Sequence, residues 1–370
     1  MSQSLNSSHP IHTPMLQRLI FRVWVFFDSL KILQINQMMI KKLNHIALAA
    51  AILIFISCNE QKSAGPPSEK TNIKSTETIK TVTSKTFGRA FNFMIVSDWG
   101  WNGFKHQQEV ADQMAKTSDS VGAKFIATCG DNFQISGIAS TEDPLWMANY
   151  ESVYKGISLQ VEWFPVLGNH DYKGNSQAEI DYSKISRRWC MRDRYYTFSK
   201  KINDSISARF IFLDTPPLVT EYQKKPLDYP DVVKQDTAKE MNWLKEVLAG
   251  SKEQWIMVFG HHPVYSASQK HGNTPELIKR VKPLFEKYHV QFYFCGHDHD
   301  FQHLHEKGKN IEYIVTGTGG ETRPASTNDL SVFSRSEPGF SVVSLKGDSL
   351  NVTFVGIKGN IIYSFARSYK

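Results

Sequence analysis

The stretch QFYFCGHDH, residues 291–299, joins a run of apolar, strand-forming residues directly to two histidines and an aspartate. Four other stretches show the same pattern of an apolar run followed at once by polar side chains. They are Asp98-Trp99-Gly100, Gly130-Asp131-Asn132, Gly168-Asn169-His170-Asp171 and Gly260-His261-His262. Open α/β sheets place their ligand sites beyond the carboxyl ends of the strands. The five stretches together therefore predict one ligand site beyond the carboxyl ends of the strands.

Between these stretches, the chain alternates apolar runs with amphipathic segments, which predicts an α/β fold. Pro165 places the third run at a sheet edge or at a strand end. No internal repeat is present, and residues 89–370 are predicted to form one domain. The predicted strands are residues 91–97, 124–129, 163–167, 209–213, 255–259 and 291–295, with helices at 104–118, 236–248 and 275–288 and antiparallel strands at 311–315, 340–345 and 350–355.

The polar groups of the five stretches are carboxylates, an amide and imidazoles, a ligand set that suits a two-metal hydrolytic site. Cys129 and Cys295 also end apolar runs. Thiolates match such a site poorly, so these cysteines are interpreted as small buried hydrophobic residues. An aspartate that bridges two cations holds them about 3.5–4 Å apart, which suits displacement at phosphorus. A nearby imidazole can protonate the leaving group. One such motif is a weak signal, but five in order are a strong one.

On these motifs, the chain resembles the metallophosphoesterase superfamily and, within it, the small tartrate-resistant type of purple acid phosphatase. The resemblance extends to residues 168–175, 183–189 and 213–215, and it runs from about Phe91 to the C-terminus. It implies a four-layer αββα sandwich of two mixed sheets flanked by helices. It also implies an acid phosphatase-like hydrolase that releases phosphate from phosphomonoesters by attack of metal-bound hydroxide.

The resemblance also implies a role for each site residue. His170 would contact the phosphate and protonate the leaving group, and His271 would be a second histidine on the substrate side, one position later than the family pattern. His262 is left with either a substrate-facing or a supporting role. Two metal ions per chain are implied, Fe together with Fe, Zn or Mn. The implied ligands are Asp98, Asp131 and His299 for the first metal, with Asp131 bridging, and Asn169, His261 and His297 for the second.

Gln134 departs from the family pattern, because it stands where the family has the tyrosine that binds Fe(III) and gives the purple colour. Gly100 stands where other metallophosphoesterases have a histidine ligand. The first metal would then keep three protein ligands with water or the Gln134 amide, and a divalent ion and a colourless protein are expected there. Two alternatives stay open: phosphodiester hydrolysis at the same site, and a catalytically impaired protein that binds phosphorylated ligands.

The first 58 residues look like a leader. Lys41 and Lys42 precede an apolar run that ends at Cys58, which resembles a bacterial lipoprotein signal with Cys58 as the lipidated residue, although Phe55 departs from the usual pattern. An uncleaved membrane anchor is the alternative. Translation is suspected to start at Met38 or Met39. Residues 59–88, rich in Ser, Thr, Lys and Glu, read as a disordered tether.

These features predict a monomer attached to a membrane outside the cytoplasm, periplasmic or at the cell surface. Five basic residues against one acidic residue in the leader contribute +4 of the formal charge of +7, so the remaining residues carry +3. Such a small excess does not argue for nucleic-acid binding. The expected partners are phosphorylated small molecules or phosphoproteins.

Overall fold

The computed structural model describes residues 90–369. The predicted leader with Cys58 and the predicted tether lie outside the described residues. Within residues 90–369, no helix combines the length and the apolar character needed to cross a membrane.

The described chain contains two mixed β-sheets, as the resemblance implied. The first has the strand order β13-β12-β11-β1-β2-β3 and the second has the order β10-β8-β9-β7-β6-β5-β4. The strands are β1 (Phe91–Val96), β2 (Phe125–Thr128), β3 (Glu162–Pro165), β4 (Tyr196–Lys201), β5 (Ser207–Phe212), β6 (Trp255–Phe259), β7 (Phe292–Cys295), β8 (Phe301–His305), β9 (Glu312–Thr316), β10 (Ser331–Arg335), β11 (Gly339–Lys346), β12 (Ser349–Gly356) and β13 (Ile361–Ser368).

Strand pairing follows the sequence prediction in most places. β3 lies at the edge of the first sheet and ends at Pro165, so both expectations about that proline are confirmed. β1 pairs in parallel with β2 and antiparallel with β11, where Phe91 lies opposite Leu345. β11 and β12 are antiparallel as predicted. For β9 the prediction was only half right, because this strand is antiparallel to β8 but parallel to β7.

Helices flank the sheets. They are α1 (Gln107–Val121), α2 (Ser176–Tyr182), α3 (Thr220–Gln223), α4 (Thr237–Gly250), α5 (Pro275–Arg280) and α6 (Lys282–Lys287). The prediction of one helix over residues 275–288 was wrong, because the segment divides at Val281. Pro283 stands in the first turn of α6, where its missing N–H is tolerated, whereas inside a continuous helix it would remove a hydrogen bond.

Alternation along the strands of the second sheet gives it two apolar faces. Phe210 and Phe212 of β5 point toward the first sheet, where the Phe210 ring lies 5.2 Å from that of Phe125 in β2. Ile211, between them, belongs to a separate core that includes Leu244 and Leu248 of α4. Side chains two residues apart share a face of a strand, so the sheet is buried between the other sheet and the helices.

The two sheets are also linked by a polar contact between β13, the edge strand of the first sheet, and β9 of the second. Glu312 of β9 accepts a hydrogen bond from the Arg367 guanidinium of β13 at 2.6 Å. Its other carboxylate oxygen lies 3.0 Å from Nε2 of His303. A carboxylate with partners on both sides is well satisfied despite its burial, so this contact can hold β13 against the second sheet.

Candidate metal centre

The predicted ligands follow strands β1, β2, β3, β6 and β7, and the structure brings them together. Asp98, Asp131 and His297 have left-handed backbone conformations, with φ of 57°, 49° and 70°. Such a conformation is unfavourable for a residue with a side chain and persists only where the surroundings enforce it. In each case it occurs within two or three residues after a strand and turns the chain sharply.

Glycines allow the ligand loops to pack closely. A Cβ atom on Gly296 would lie 2.3 Å from Asp98 Oδ2, and one on Gly168 would lie 2.2 Å from Asp131 Oδ1. Both distances are too short for any side chain. Gly296 and Gly168 are therefore required by the close approach of a neighbouring carboxylate.

Four ligand atoms converge at the second of the two predicted metal positions. His261 Nε2 lies 3.0 Å from Asn169 Oδ1, 3.2 Å from His297 Nδ1 and 3.4 Å from Asp131 Oδ1. The other ring nitrogen of His261 lies 2.8 Å from the carbonyl oxygen of Cys129, to which it donates. That hydrogen bond fixes the tautomer and directs the Nε2 lone pair toward the cluster.

The first predicted position contains Asp98, Asp131 and His299. His299 Nε2 lies 3.5 Å from Asp98 Oδ1, and this buried oxygen has no hydrogen-bond partner among the described residues. Ligand-type atoms of Asp98, Asp131 and His261 all lie within 4.8 Å of one another. A buried carboxylate oxygen without a donor, facing imidazole nitrogens and a second carboxylate, is what a cation would satisfy. The residues present therefore fit a pair of metal ions.

Gln134 is buried beside this first position. Its Nε2 lies 3.4 Å from Asp131 Oδ2. The side chain that replaces the family tyrosine thus contacts the predicted bridging carboxylate as a hydrogen-bond donor. A neutral amide in this place supplies no anionic ligand.

The electrostatic environment of Asp131 favours its ionised form. Burial raises its pKa, but the nearby His261, His170 and His299 and a hydrogen bond from the backbone N–H of His170 outweigh burial and lower the pKa to about 2. A carboxylate that stays ionised at all physiological pH values is suited to bind cations.

The two predicted catalytic histidines each lie next to a predicted metal ligand. The His271 ring is 4.1 Å from the ring of His297 and is exposed. His170 donates its backbone N–H to Asp131, and its Nδ1 lies 3.4 Å from Lys173 Nζ. Burial lowers the pKa of both imidazoles, that of His271 to about 4 with the help of the positive charges of Lys270 and Arg323.

The hydrogen bonds of His262 favour the supporting role over the substrate-facing one. Its ring lies 4.5 Å from that of His297. However, its Nδ1 is 3.0 Å from Thr215 Oγ1 and its Nε2 is 3.0 Å from the Tyr222 hydroxyl. Since both nitrogens have polar partners, neither is left for a metal, although His262 stands close enough to the other ligands to be considered one.

Two further residues shape the site, although the sequence assigned them no role. Asp171 accepts hydrogen bonds from the backbone N–H groups of Gly168, Phe133 and Asn132, at 2.7, 2.9 and 3.2 Å. Thr215 Oγ1 accepts hydrogen bonds from the backbone N–H groups of His261 and His262. Both positions lie in stretches that carried the family resemblance, and that was the only signal available.

The cysteine interpretation agrees with the structure. Cys129 and Cys295 are buried, and burial raises the pKa of both thiols well above the usual value. A thiol that resists ionisation is a poor metal ligand. Cys129 instead contributes its backbone carbonyl, which orients His261.

Residues 91–301 match the family model described as calcineurin-like phosphoesterase. The chain belongs to this family. Its curated relatives include purple acid phosphatase 3 of Arabidopsis thaliana, 33% identical over 303 residues that cover 78% of this chain and 80% of the relative. Tartrate-resistant acid phosphatase type 5 of Homo sapiens is 32% identical over 294 residues, 74% of this chain and 90% of the relative.

Solved structures place this calcineurin-like phosphoesterase in the same fold. GAP50, described as the anchor in the inner membrane complex of Plasmodium, is 27% identical with a TM-score of 0.66, over 76% of this chain and 89% of its own. The purple acid phosphatase PPD1 of yellow lupin has a TM-score of 0.55 at 16% identity, over 75% of this chain and 54% of its own, and supports the fold alone. The αββα expectation of two mixed sheets with flanking helices is thereby confirmed.

Proposed function

We propose that this protein is a metal-dependent acid phosphatase that hydrolyses phosphomonoesters. The observation that carries the proposal is the convergence of acceptor atoms around His261 Nε2, next to the unpartnered buried oxygen of Asp98. Its membership of a phosphoesterase family and its acid phosphatase relatives support the reaction type.

The proposed metal-holding residues are those that the sequence predicted. Asp98, Asp131 and His299 would hold the first metal, and Asn169, His261 and His297 would hold the second together with Asp131. Bound cations would supply charge neutralisation at the phosphoryl oxygens and a water of lowered pKa. Gln134 favours a divalent ion in the first position, because it offers no phenolate to Fe(III), and the second position would hold Fe, Zn or Mn.

The chain's own residues would bind the substrate and move protons. His170 contacts Asp131 through its backbone and the His271 ring packs on His297, so each can approach a substrate oxygen next to the ligand cluster. His170 is the proposed proton donor to the leaving oxygen, since its ring is partly exposed while its backbone is fixed to Asp131. His271 would also contact the substrate, next to His297.

The test is metal analysis by mass spectrometry together with phosphate release from 4-nitrophenyl phosphate. About two metals per chain with turnover are expected, and both should be lost in Asp131→Asn. Asp119→Asn is the matched control, because Asp119 is exposed on α1 and should keep both. A content of one metal or none per chain, with no turnover after Fe, Zn or Mn is added, would refute the proposed phosphatase activity.

A binding protein for phosphorylated ligands is the second candidate. Gln134 at the first metal position favours it, because a neutral amide supplies no anionic ligand to a metal. This reading requires metal-poor protein that still binds phosphate esters. The same metal analysis distinguishes the two candidates. Hydrolysis of phosphodiesters is tested with bis(4-nitrophenyl) phosphate in the same assay.

We further propose that Cys58 carries a lipid, which would tether the protein to a membrane outside the cytoplasm. Only the basic residues, the apolar run and the cysteine in the sequence support this. Metabolic labelling with a radioactive fatty acid should label the native chain but not Cys58→Ser. Equal labelling of both would refute the lipid anchor.

We also propose that the protein is a monomer. A dimer mass measured by light scattering would contradict this proposal.

A further inference from the structure

Two cationic side chains at the rim of the candidate metal centre form no ion pair with any residue from 90 to 369. Lys270 directly precedes His271, whose ring packs on the predicted ligand His297. Arg323 donates its backbone N–H to the carbonyl oxygen of His299, another predicted ligand, at 2.8 Å. Both cations therefore originate from backbone that contacts or adjoins the ligand shell.

Neither cation is paired directly with a carboxylate. Within residues 90–369, the Lys270 ammonium and the Arg323 guanidinium make no ion pair and no side-chain hydrogen bond. By contrast, the nearby Lys105 pairs with Glu321 at 2.9 Å. Glu321 and Asp298 also act on Lys270, and Glu321 acts on Arg323 as well. Glu321, however, is paired with Lys105, and Asp298 is buried and accepts a hydrogen bond from Ser266. The exposed charge at this side of the centre is therefore positive.

The two cations are close enough to influence each other and His271. The pKa of His271 is lowered by burial and then by the positive charges of Lys270 and Arg323. The pKa of Lys270 is lowered by burial and then by the positive charge of Arg323. Like charges repel, and Glu321, which is shared with Lys105, offsets this repulsion only in part. A bound anion would relieve the remaining repulsion. Lys270 is exposed and Arg323 is half-buried, so they can meet a part of the substrate that stays outside the buried ligand cluster.

We propose that Lys270 and Arg323 form a subsite for a second anionic group, so that the preferred substrates are phosphomonoesters whose leaving group itself carries a phosphate or a carboxylate. This inference rests on the proposed function. Arg323 can bind either group through two parallel hydrogen bonds, whereas Lys270 adds a point charge. The subsite acts on specificity, because the groups that would hold the metals are other residues.

The experiment compares kcat/KM for phenyl phosphate, 4-carboxyphenyl phosphate and 1,4-phenylene bisphosphate with the metal-loaded full-length protein. We expect kcat/KM for at least one of the two substrates with a second anionic group to exceed kcat/KM for phenyl phosphate by about tenfold. A ratio of this size corresponds to two partly exposed charge contacts. The double variant Lys270→Gln/Arg323→Gln should bring the ratio close to one. Lys116→Gln is the matched control, since Lys116 is an exposed cation on α1 and its loss should leave the ratio high.

The ratio separates specificity from general damage, because a folding defect lowers turnover of all three substrates alike. High salt should reduce the ratio in the unmodified protein, which tests the charge contribution without any substitution. The two anionic substrates show whether a carboxylate or a phosphate is preferred. A ratio near one in the unmodified protein, or its loss in Lys173→Gln rather than in the double variant, would overturn the proposal.

A failure of the proposed function gives a different result. If metal-loaded protein hydrolyses none of the substrates, calorimetry still tests the subsite with methylphosphonate and phosphonoacetate, which differ in one carboxylate. Tighter binding of phosphonoacetate that is lost in the double variant would support the subsite without any turnover. Equal binding of the two ligands would refute it.

Discussion

Replacement of Asp171 by alanine should both destabilise the fold and weaken metal binding. Its carboxyl accepts three backbone N–H groups, two from the loop after β2 and one from the loop after β3, at 2.7–3.2 Å. These loops carry Asp131 and Asn169. Asp171 thus joins two segments that must stay in register for the ligands to converge.

The magnitude follows from these three hydrogen bonds. A buried donor that loses its acceptor costs about 1–3 kcal/mol, so the lower limit for three donors is about 3 kcal/mol. Relief of repulsion could offset this, because burial and the charge of Asp131 raise the pKa of Asp171 to about 7. At pH 6 the carboxyl is mostly protonated and this repulsion is small. The hydrogen bonds should therefore dominate at that pH.

The assay is urea unfolding at pH 6, followed by the fluorescence of the buried tryptophans, with metal content measured on the same samples. Asp236→Ala is the matched control, because Asp236 accepts two backbone N–H groups at the start of α4 on the surface. Loss of such a helix cap costs about 1 kcal/mol and should leave metal content unchanged. Equal destabilisation of the two variants, with full metal content in both, would refute the role assigned to Asp171.

Two further predictions concern Gln134 and Asp214. Iron-loaded protein should be colourless, and Gln134→Tyr should gain an intense visible absorption band; such a band in the unmodified protein would contradict the account of the first metal position. Burial raises the pKa of Asp214 to about 7, against about 3.9 in an unfolded chain. The folded state therefore binds the proton of Asp214 more tightly than the unfolded state does. The contribution of Asp214 to the free energy of unfolding should fall as pH rises from about 4 to about 7. Asp214→Asn should show a shallower decrease over that range by urea unfolding, and identical slopes would contradict the prediction.

Most of the first sheet and of the metal centre could be predicted, because both depend on local patterns. The runs before Asp98 and Asp131 are continuously apolar, and buried parallel strands have that character. β8 was missed because its polar residues are buried with tertiary partners, as in His303 against Glu312. β13 was missed because it is a half-exposed edge strand.

The parts of the site that could not be predicted depend on contacts between distant segments. Nothing local shows that Thr215 would accept the backbone N–H groups of His261 and His262. Nothing local in the sequence shows the two polar partners of His262 either, and these partners favour its supporting role. Spacing identifies groups that can bind metal, whereas the choice among neighbouring histidines needs the positions of the hydrogen-bond partners.

The pairing of β1 with β11 has a consequence for the time course of biosynthesis. Phe91 is made early, but its partner Leu345 follows almost at the end of the chain. At roughly 5–20 residues per second, a ribosome needs on the order of ten seconds or more to make the intervening segment. During that time one side of β1 has no neighbour, and such an open edge can pair with other chains. Asp98 is also made long before its fellow predicted ligands His297 and His299. We therefore expect the metals to bind late, after most of the polypeptide has been synthesised.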